Sequence, residues 1–211
     1  MEKLLKQYES VFSRNSGKGC LNAKSVYSYT KGTGKVCFCA PHAVRSFVHK
    51  EEKARDIGTG AIVRYLGEQQ KFSTIVRNKF VPYKEMISDF ILNNKLEKYF
   101  FFDIHGMKVH KNFDLAIGTG YLPKEKYGVV LEKIKELCRK YQIKYRVNFP
   151  QYNGKIGLTG RLQKATGRAN VVQLEFSPIY RDIEKPFIQE KTIPFLTELG
   201  YFIDDKGVKE C

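Results

Sequence analysis

Short apolar runs alternate along the chain with longer stretches in which apolar residues recur at helical spacing. The short runs predict β-strands, and the amphipathic stretches predict α-helices. The predicted strands are 25–30, 35–40, 72–77, 100–104, 113–118, 143–149 and 169–177. The predicted helices are 1–12, 56–70, 83–99, 124–142 and 186–202, with Asp56 as a possible N-cap and a kink near Pro194. The sequence KGTG at 31–34 predicts a hairpin-type turn between the first two strands.

The alternation of strands with helices predicts an α/β fold. Helices that connect parallel strands cover both faces of a sheet, so we expect a three-layer αβα arrangement around a mixed, mostly parallel sheet. The run FFFDI at 100–104 is continuously apolar except for Asp103, which predicts a buried strand. No internal repeat, low-complexity segment or linker rich in proline or serine divides the chain, so we expect a single α/β domain over residues 1–211.

Composition predicts a protein of the cytoplasm with a buried core. The 211 residues are 42% hydrophobic and 13% aromatic, which argues against global disorder. No apolar stretch is long enough to cross a membrane, and the first residues lack the pattern of a secretory signal. The five cysteines are irregularly spaced without a CxxC pair, which favours reduced thiols. Cys37 and Cys39 share one face of a predicted strand, either as small core residues or as a soft-metal pair.

The net charge of +15 is the strongest bulk feature. Such a surface attracts polyanions and acidic small molecules. One hypothesis is therefore a basic nucleic-acid-binding domain without catalysis, in which some of the 13 tyrosines stack on bases. The basic residues are dispersed, however, with no dense run or arginine-rich arm, which equally fits a generally basic surface.

Two histidines follow predicted strands at equivalent places. His42 comes after the strand 35–40, and His105 comes directly after 100–104. Ligands of α/β sheets gather at the carboxyl ends of the strands, and neutral imidazole is a common zinc ligand. Hydrolytic zinc sites often add one carboxylate and leave a position open for water. Asp56 is the first candidate for that carboxylate because it lies where a helix is predicted to begin, and Glu52 is the second.

Two further carboxylates interrupt apolar strands. Glu175 lies in the predicted strand 169–177, where an unpaired carboxylate is costly to bury. It is a candidate general base that acts on a metal-bound water, or else it forms a salt bridge with Arg161 or Arg181. Asp103 lies two residues before His105 and shares its face of the strand. It is placed to orient the imidazole, to sit near a metal ion, or to bond loop amides.

The segment 146–170 is rich in glycine, asparagine, threonine and arginine, which predicts an ordered loop that lines a substrate pocket. Arg161 and Arg168 are candidates to bind a substrate carboxylate through two parallel hydrogen bonds. A structural role stays open for each of them. Arg45 and Asn148 are further candidates for substrate binding.

Taken in order, these segments resemble the N-formylglutamate amidohydrolase-like family. The resemblance covers roughly 36–182 and rests on APHAVRS, EKARDIGTGAIVRYL, FFFDIHGMK, FDLAIGTGY, VNFPQYNGKIGLTG and VVQLEFSPIYRD. It implies a phosphorylase/hydrolase-like α/β fold similar to that of zinc carboxypeptidases and acylases. It also implies one zinc ion bound by His42, His105 and an acid from 51–56, with Glu175 as the catalytic carboxylate.

The same resemblance implies the reaction. We expect cleavage of an amide bond in a small acidic N-acyl amino acid or γ-glutamyl-type substrate, with a nearby arginine, for which Arg161 is the candidate, stabilising the oxyanion or holding a carboxylate. The chain departs from many relatives in lacking a glycine-rich continuation after PHA. No membrane partner is expected.

Overall fold

A computed structural model describes residues 1–48 and 51–206. The strands are β1 Tyr27–Thr30, β2 Val36–Ala40, β3 Ser46–Val48, β4 Glu51–Lys53, β5 Ser73–Arg77, β6 Phe100–Gly106, β7 Leu115–Gly118, β8 Tyr145–Val147 and β9 Val171–Phe176. The α-helices are α1 Glu2–Gly17, α2 Thr59–Gln70, α3 Ile87–Asn93, α4 Gly128–Lys140, α5 Leu158–Thr166, α6 Pro178–Arg181 and α7 Ile193–Lys206. Short 3-10 helices lie at Lys124–Tyr127 and Pro150–Tyr152, and a π-helical turn at Ile188–Thr192 precedes α7.

Seven strands form one mixed sheet in the order β1-β5-β2-β6-β9-β7-β8. The central strands β5, β2, β6 and β9 are parallel, whereas β1 and β7 run antiparallel to β5 and β9. The predicted mixed, mostly parallel sheet is therefore confirmed. The predicted hairpin between the first two strands is wrong, since β5 lies between β1 and β2. All five residues of β2 are buried, so this strand takes a central place with a parallel neighbour on each side.

Helices cover both faces of the sheet, which confirms the three-layer αβα arrangement. On one face, alternate strand residues such as Phe38, Phe102 and Leu174 pack against α1, α2, α4 and α7. On the other face, Cys37, Cys39, Phe101 and Val171 pack against the smaller layer formed by α3 and α5.

The four cysteines within the described residues are free. The prediction of a reduced thiol at Cys211 falls outside those residues. Cys37 and Cys39 are fully buried in the apolar cluster under α3 and α5, which fits small core residues. Within 1–48 and 51–206, no helix combines the length and the apolar character that a bilayer span requires.

Two helices differ here from the sequence predictions. The segment 158–166, predicted as loop, is α5, because Leu158 and Leu162 lie one turn apart and pack into the core, and Gly167 ends the helix with φ +68°. The predicted helix 83–99 shrinks to α3. A π-helical turn at Ile188–Thr192 comes directly before the last helix, and the kink near Pro194 stays a prediction.

The N-terminal end of α2 also differs. Gly58 is the N-cap, with a left-handed φ of +87°, and the helix begins at Thr59. A side chain at Gly58 would meet the carbonyl oxygen of Arg181, so the chain approaches this loop too closely for any other residue. Asp56 is therefore not the N-cap, and its carboxylate is left for other contacts.

Candidate functional site

One face of the sheet changes from apolar to polar along its strands. On the α3 and α5 side this face is apolar at Ile75, Phe101 and Val171. Toward the carboxyl ends, the same face carries Arg77, Asp103, His105, Gln173 and Glu175, which follow the apolar residues at a spacing of two. Asp103 pairs in register with Gln173, and His105 pairs with Glu175. The strand pairing of β6 with β9 thus brings four polar side chains together.

His105 lies between two buried carboxylates. Its Nε2 atom is 3.0 Å from Oδ1 of Asp103, and its Nδ1 atom is 3.4 Å from Oδ2 of Asp56. Asp103 is fully buried, and His105 is 6% exposed. Neither contact has the alignment of a hydrogen bond, so Nε2, Oδ2 of Asp56 and both oxygens of Asp103 are buried without a hydrogen-bond partner. Buried polar atoms without a hydrogen-bond partner are costly. These atoms therefore indicate a site where a bound ion or ligand supplies the missing partner.

His42 lies beside this group, in the loop after β2. The centres of the His42 and His105 rings are 5.1 Å apart. Nδ1 of His42 is 2.9 Å from Oγ of Ser46, which leaves Nε2 as the ring nitrogen available to a ligand. The backbone amide of Asp56 donates to the carbonyl of His42 at 2.8 Å. This bond ties the loop after β2 to the loop before α2 and brings His42 and Asp56 together.

Charge at this position favours a cation. Burial alone would lower the pKa of His105, but the nearby carboxylates of Asp103, Asp56 and Glu175 raise it well above its ordinary value. Burial would raise the pKa of Asp56, yet contact with His105 lowers it. His42 differs, because burial and the neighbouring cations hold its pKa well below its ordinary value, so its ring is neutral. A neutral imidazole is the form that ligates metals.

Glu175 faces a cleft from β9. Nε2 of Gln173 donates a hydrogen bond to Oε1 of Glu175 at 2.6 Å. Burial raises the pKa of Glu175, partly offset by the charge of His105. Within the described part of the chain, no ion pair joins Glu175 to Arg161 or Arg181, so the salt-bridge explanation of this carboxylate is wrong.

Arg181 instead connects the loops around the site. Its guanidinium donates to three backbone carbonyls, those of Ile57, Met107 and Phe176, at 2.7, 3.3 and 3.3 Å. These carbonyls lie one or two residues from Asp56, His105 and Glu175. Arg181 therefore fixes the relative positions of the three segments that carry the site.

The site opens into a cleft of about 640 Å³. Its lining includes His42, His105, Glu175, and Arg161 on α5, together with much of the segment 150–158. The predicted role of the segment 146–170 in lining a pocket thus agrees with the position of 150–158 and Arg161. The lining has five lysine or arginine side chains, Lys53, Arg77, Lys84, Lys155 and Arg161, against two carboxylates, Glu85 and Glu175. Such a cleft attracts an anionic ligand.

Four further predicted residues are not part of this lining: Arg45, Glu52, Asn148 and Arg168. Arg45 forms an ion pair with Glu52 at the hairpin of β3 and β4. The Asn148 side chain is bonded to the backbone amide and hydroxyl of Thr119, and the residue lines a smaller pocket. Arg168 is exposed beyond the end of α5. Substrate binding by Arg45, Asn148 and Arg168 stays a prediction.

The donor atoms fit a divalent cation, although they are not gathered around one point. Across residues 1–48 and 51–206, histidine, cysteine, aspartate and glutamate side chains do not form a group of three or more that could hold a metal ion. Two imidazoles and a carboxylate are nevertheless the donor set of hydrolytic zinc sites. The unsatisfied Oδ2 of Asp56 and the carboxylates around His105 also attract positive charge.

Two residues in or beside the site were missed by sequence reasoning. Gln173 holds the catalytic candidate Glu175, and its signal was its spacing of two from Glu175 on a buried strand. Arg77 lines the cleft at the carboxyl end of β5. Its signal was the same as that of His105, a charged side chain where an apolar strand ends.

Solved structures share this fold at low sequence identity. The chain is similar to N-formylglutamate amidohydrolase from Ralstonia eutropha JMP134, with 9% identity, a TM-score of 0.56 and coverage of 87% of this chain and 100% of that one. It is also similar to a bacteriophage poly-gamma-glutamate hydrolase, with 15% identity, a TM-score of 0.52 and coverage of 86% and 92%. A zinc-free apo form of YNDL gives 13% identity, a TM-score of 0.53 and coverage of 90% and 94%.

Comparison of the sequence with models of known protein families gives no match, and comparison with curated proteins gives none. The resemblance to N-formylglutamate amidohydrolase expected from the sequence is thus confirmed at the level of the fold.

Proposed function

We propose that this protein is a zinc-dependent amidohydrolase that cleaves an amide bond of a small acidic N-acyl amino acid or γ-glutamyl-type substrate. One observation carries the proposal. His105 lies between the buried carboxylates Asp56 and Asp103, beside His42, and is paired in register with Glu175 at the mouth of a cation-lined cleft. The names of two proteins with the same fold, an N-formylglutamate amidohydrolase and a poly-gamma-glutamate hydrolase, support this reaction class.

In this proposal His42, Asp56 and His105 hold the metal ion. Asp103, on the opposite side of the His105 ring from Asp56, orients that ring, as carboxylates commonly do for metal-binding histidines. A bound zinc ion supplies Lewis acidity and lowers the pKa of a bound water to about 7. The buried, unsatisfied oxygen of Asp56 gains a partner when the ion is present.

Glu175 moves the proton. Its carboxylate accepts a proton from the attacking water and later donates it to the leaving amine. Gln173 holds one of its two oxygens by a hydrogen bond, so the other oxygen is left to face the substrate. The raised pKa of Glu175 suits a group that must act as base and then as acid.

Arg161 and the volume and charge of the cleft support the proposed reaction and substrate class. Arg161 lines the cleft from α5, and in this proposal it stabilises the developing oxyanion. A cleft of about 640 Å³ has the size of sites for small molecules. Its excess of positive side chains favours a substrate that carries carboxylates.

Metal removal tests this function. The purified protein should release amine from N-formyl-L-glutamate or from γ-glutamyl amides, measured by a ninhydrin or coupled amine assay. Treatment with a zinc chelator should reduce hydrolysis to the uncatalysed background, because the attacking water is not activated without the ion. Addition of zinc should restore it.

Hydrolysis that persists at full rate after complete removal of divalent ions would contradict metal dependence. Absence of any hydrolysis across both substrate classes with zinc present would contradict the reaction itself.

A further inference from the structure

Arg77 is a buried cation with unused hydrogen-bond donors. It is the last residue of β5 and is 2% exposed. Its Nη1 atom donates to the hydroxyl of Tyr27 at 2.9 Å and to the backbone carbonyl of Glu85 at 3.3 Å. Its Nε and Nη2 atoms are buried without a hydrogen-bond partner. A guanidinium group has five N–H donors in a fixed fork, so most of the fork is available.

No ion pair joins this charge to a carboxylate within the described residues. The ion pairs there do not include Arg77. Glu85 contacts it through a backbone carbonyl. The Tyr27 ring lies 5.4 Å from the guanidinium carbon, and burial raises the pKa of its hydroxyl, so this phenol stays neutral. A buried charge without a counter-ion is costly to fold, which indicates that an anion supplies the missing partner.

Arg77 also lies at the level of the candidate site. Val76 pairs with Ala40 across β5 and β2, and Cys39 pairs with Asp103 across β2 and β6. One residue beyond Val76, Arg77 therefore stands at the same level across the sheet as His105. Two strand spacings of about 4.8 Å separate them, or about 10 Å in all. Arg77 and His105 both line the same cleft.

We propose that Arg77 binds a carboxylate of the substrate and thereby selects acidic substrates. Nε and Nη2 lie on one edge of the guanidinium, the edge that forms two parallel hydrogen bonds to a carboxylate. The distance to His105 leaves room for the few bonds that separate a carboxylate from an amide in a glutamyl compound. This role rests on the proposed function for the choice of substrate, and it replaces Arg161 as the carboxylate-binding residue.

Binding, rather than turnover, tests this role. Calorimetric titration of the zinc-supplied full-length protein compares N-acetyl-L-glutamate with N-acetylglutamine amide, in which both carboxylates are carboxamides. Wild type should bind the dicarboxylate about 10- to 100-fold more tightly, the value of one or two charge-assisted hydrogen bonds. Arg77→Met should lose most of this preference while its affinity for the diamide stays close to that of wild type. A folding defect would instead weaken the binding of both ligands equally.

Two other variants complete the test. Arg161→Met examines the rival cation of the cleft and should keep the preference for the dicarboxylate. Arg77→Lys keeps the charge but removes the fork, so it should bind N-acetyl-L-glutamate about tenfold more weakly than wild type. The Arg77→Lys variant takes the place of Arg77→Met in the test if Arg77→Met does not fold.

Three results would overturn the proposal: equal binding of both ligands by wild type, loss of the preference in Arg161→Met with retention in Arg77→Met, or unchanged affinity in Arg77→Lys. Because binding needs no turnover, preferential binding without hydrolysis would contradict the proposed reaction and still support the role of Arg77.

Discussion

Replacing Glu175 by glutamine should lower kcat by about 10²- to 10⁴-fold, the usual contribution of a general base. Glutamine has nearly the same shape and can still contact Gln173, but it cannot accept the proton of the attacking water. Because Glu175 is not among the proposed zinc ligands, zinc content should not change. Steady-state hydrolysis of N-formyl-L-glutamate together with elemental analysis checks both statements.

The matched control is Glu85→Gln, which makes the same change to another carboxylate in the lining of the cleft. The hydrogen bond from Arg77 goes to the backbone carbonyl of Glu85, which this variant keeps, so the variant should retain most of the activity. Equal losses in the two variants would mean that the effect comes from the charge of the cleft and would contradict a catalytic role for Glu175.

Replacing Asp56 by alanine should lower kcat/KM by at least about 100-fold, more than the loss seen when only the support of a metal ligand is removed. The sequence left Asp56 and Glu52 as alternative ligands. The structure places Oδ2 of Asp56 at 3.4 Å from Nδ1 of His105, whereas Glu52 lies on β4 and pairs with Arg45 and Lys18. Glu52→Ala removes only surface ion pairs and should leave activity close to wild type.

Thermal unfolding of both variants separates catalysis from stability. Retained activity in Asp56→Ala, or a larger loss in Glu52→Ala than in Asp56→Ala, would contradict the assignment of Asp56 as the carboxylate ligand.

The sequence predicted a mixed, mostly parallel sheet because the signal for each strand and helix is local. A continuous apolar strand such as 100–104 can only be buried, and strands that alternate with helices can only be connected in a few ways. For the same reason the strand-end positions of His42 and His105 could be predicted from the sequence alone. That they approach each other, with ring centres 5.1 Å apart, follows from the parallel pairing of β2 with β6.

Other features depend on contacts between distant segments, which no local pattern contains. The pairing of β1 with β5 instead of β2 is one, and it made the predicted hairpin wrong. The contribution of Arg77 to the cleft is another, because it depends on the place of β5 in the sheet. A helix at 158–166 was hidden by its glycines and threonines, although Leu158 and Leu162 gave its spacing. The single domain, the cytoplasmic location and the nucleic-acid alternative stay predictions.

Zinc content tests the central claim most directly. Elemental analysis should compare wild type, His105→Ala and His110→Ala after purification with zinc supplied. His110 is the control because its ring stacks on Phe113, with ring centres 4.0 Å apart, and lines a different pocket. About one zinc ion per chain is expected in wild type and in His110→Ala, from the single set of donors proposed, and none in His105→Ala. Zinc absent from wild type, or retained in full by His105→Ala, would contradict a metal site at His42, Asp56 and His105.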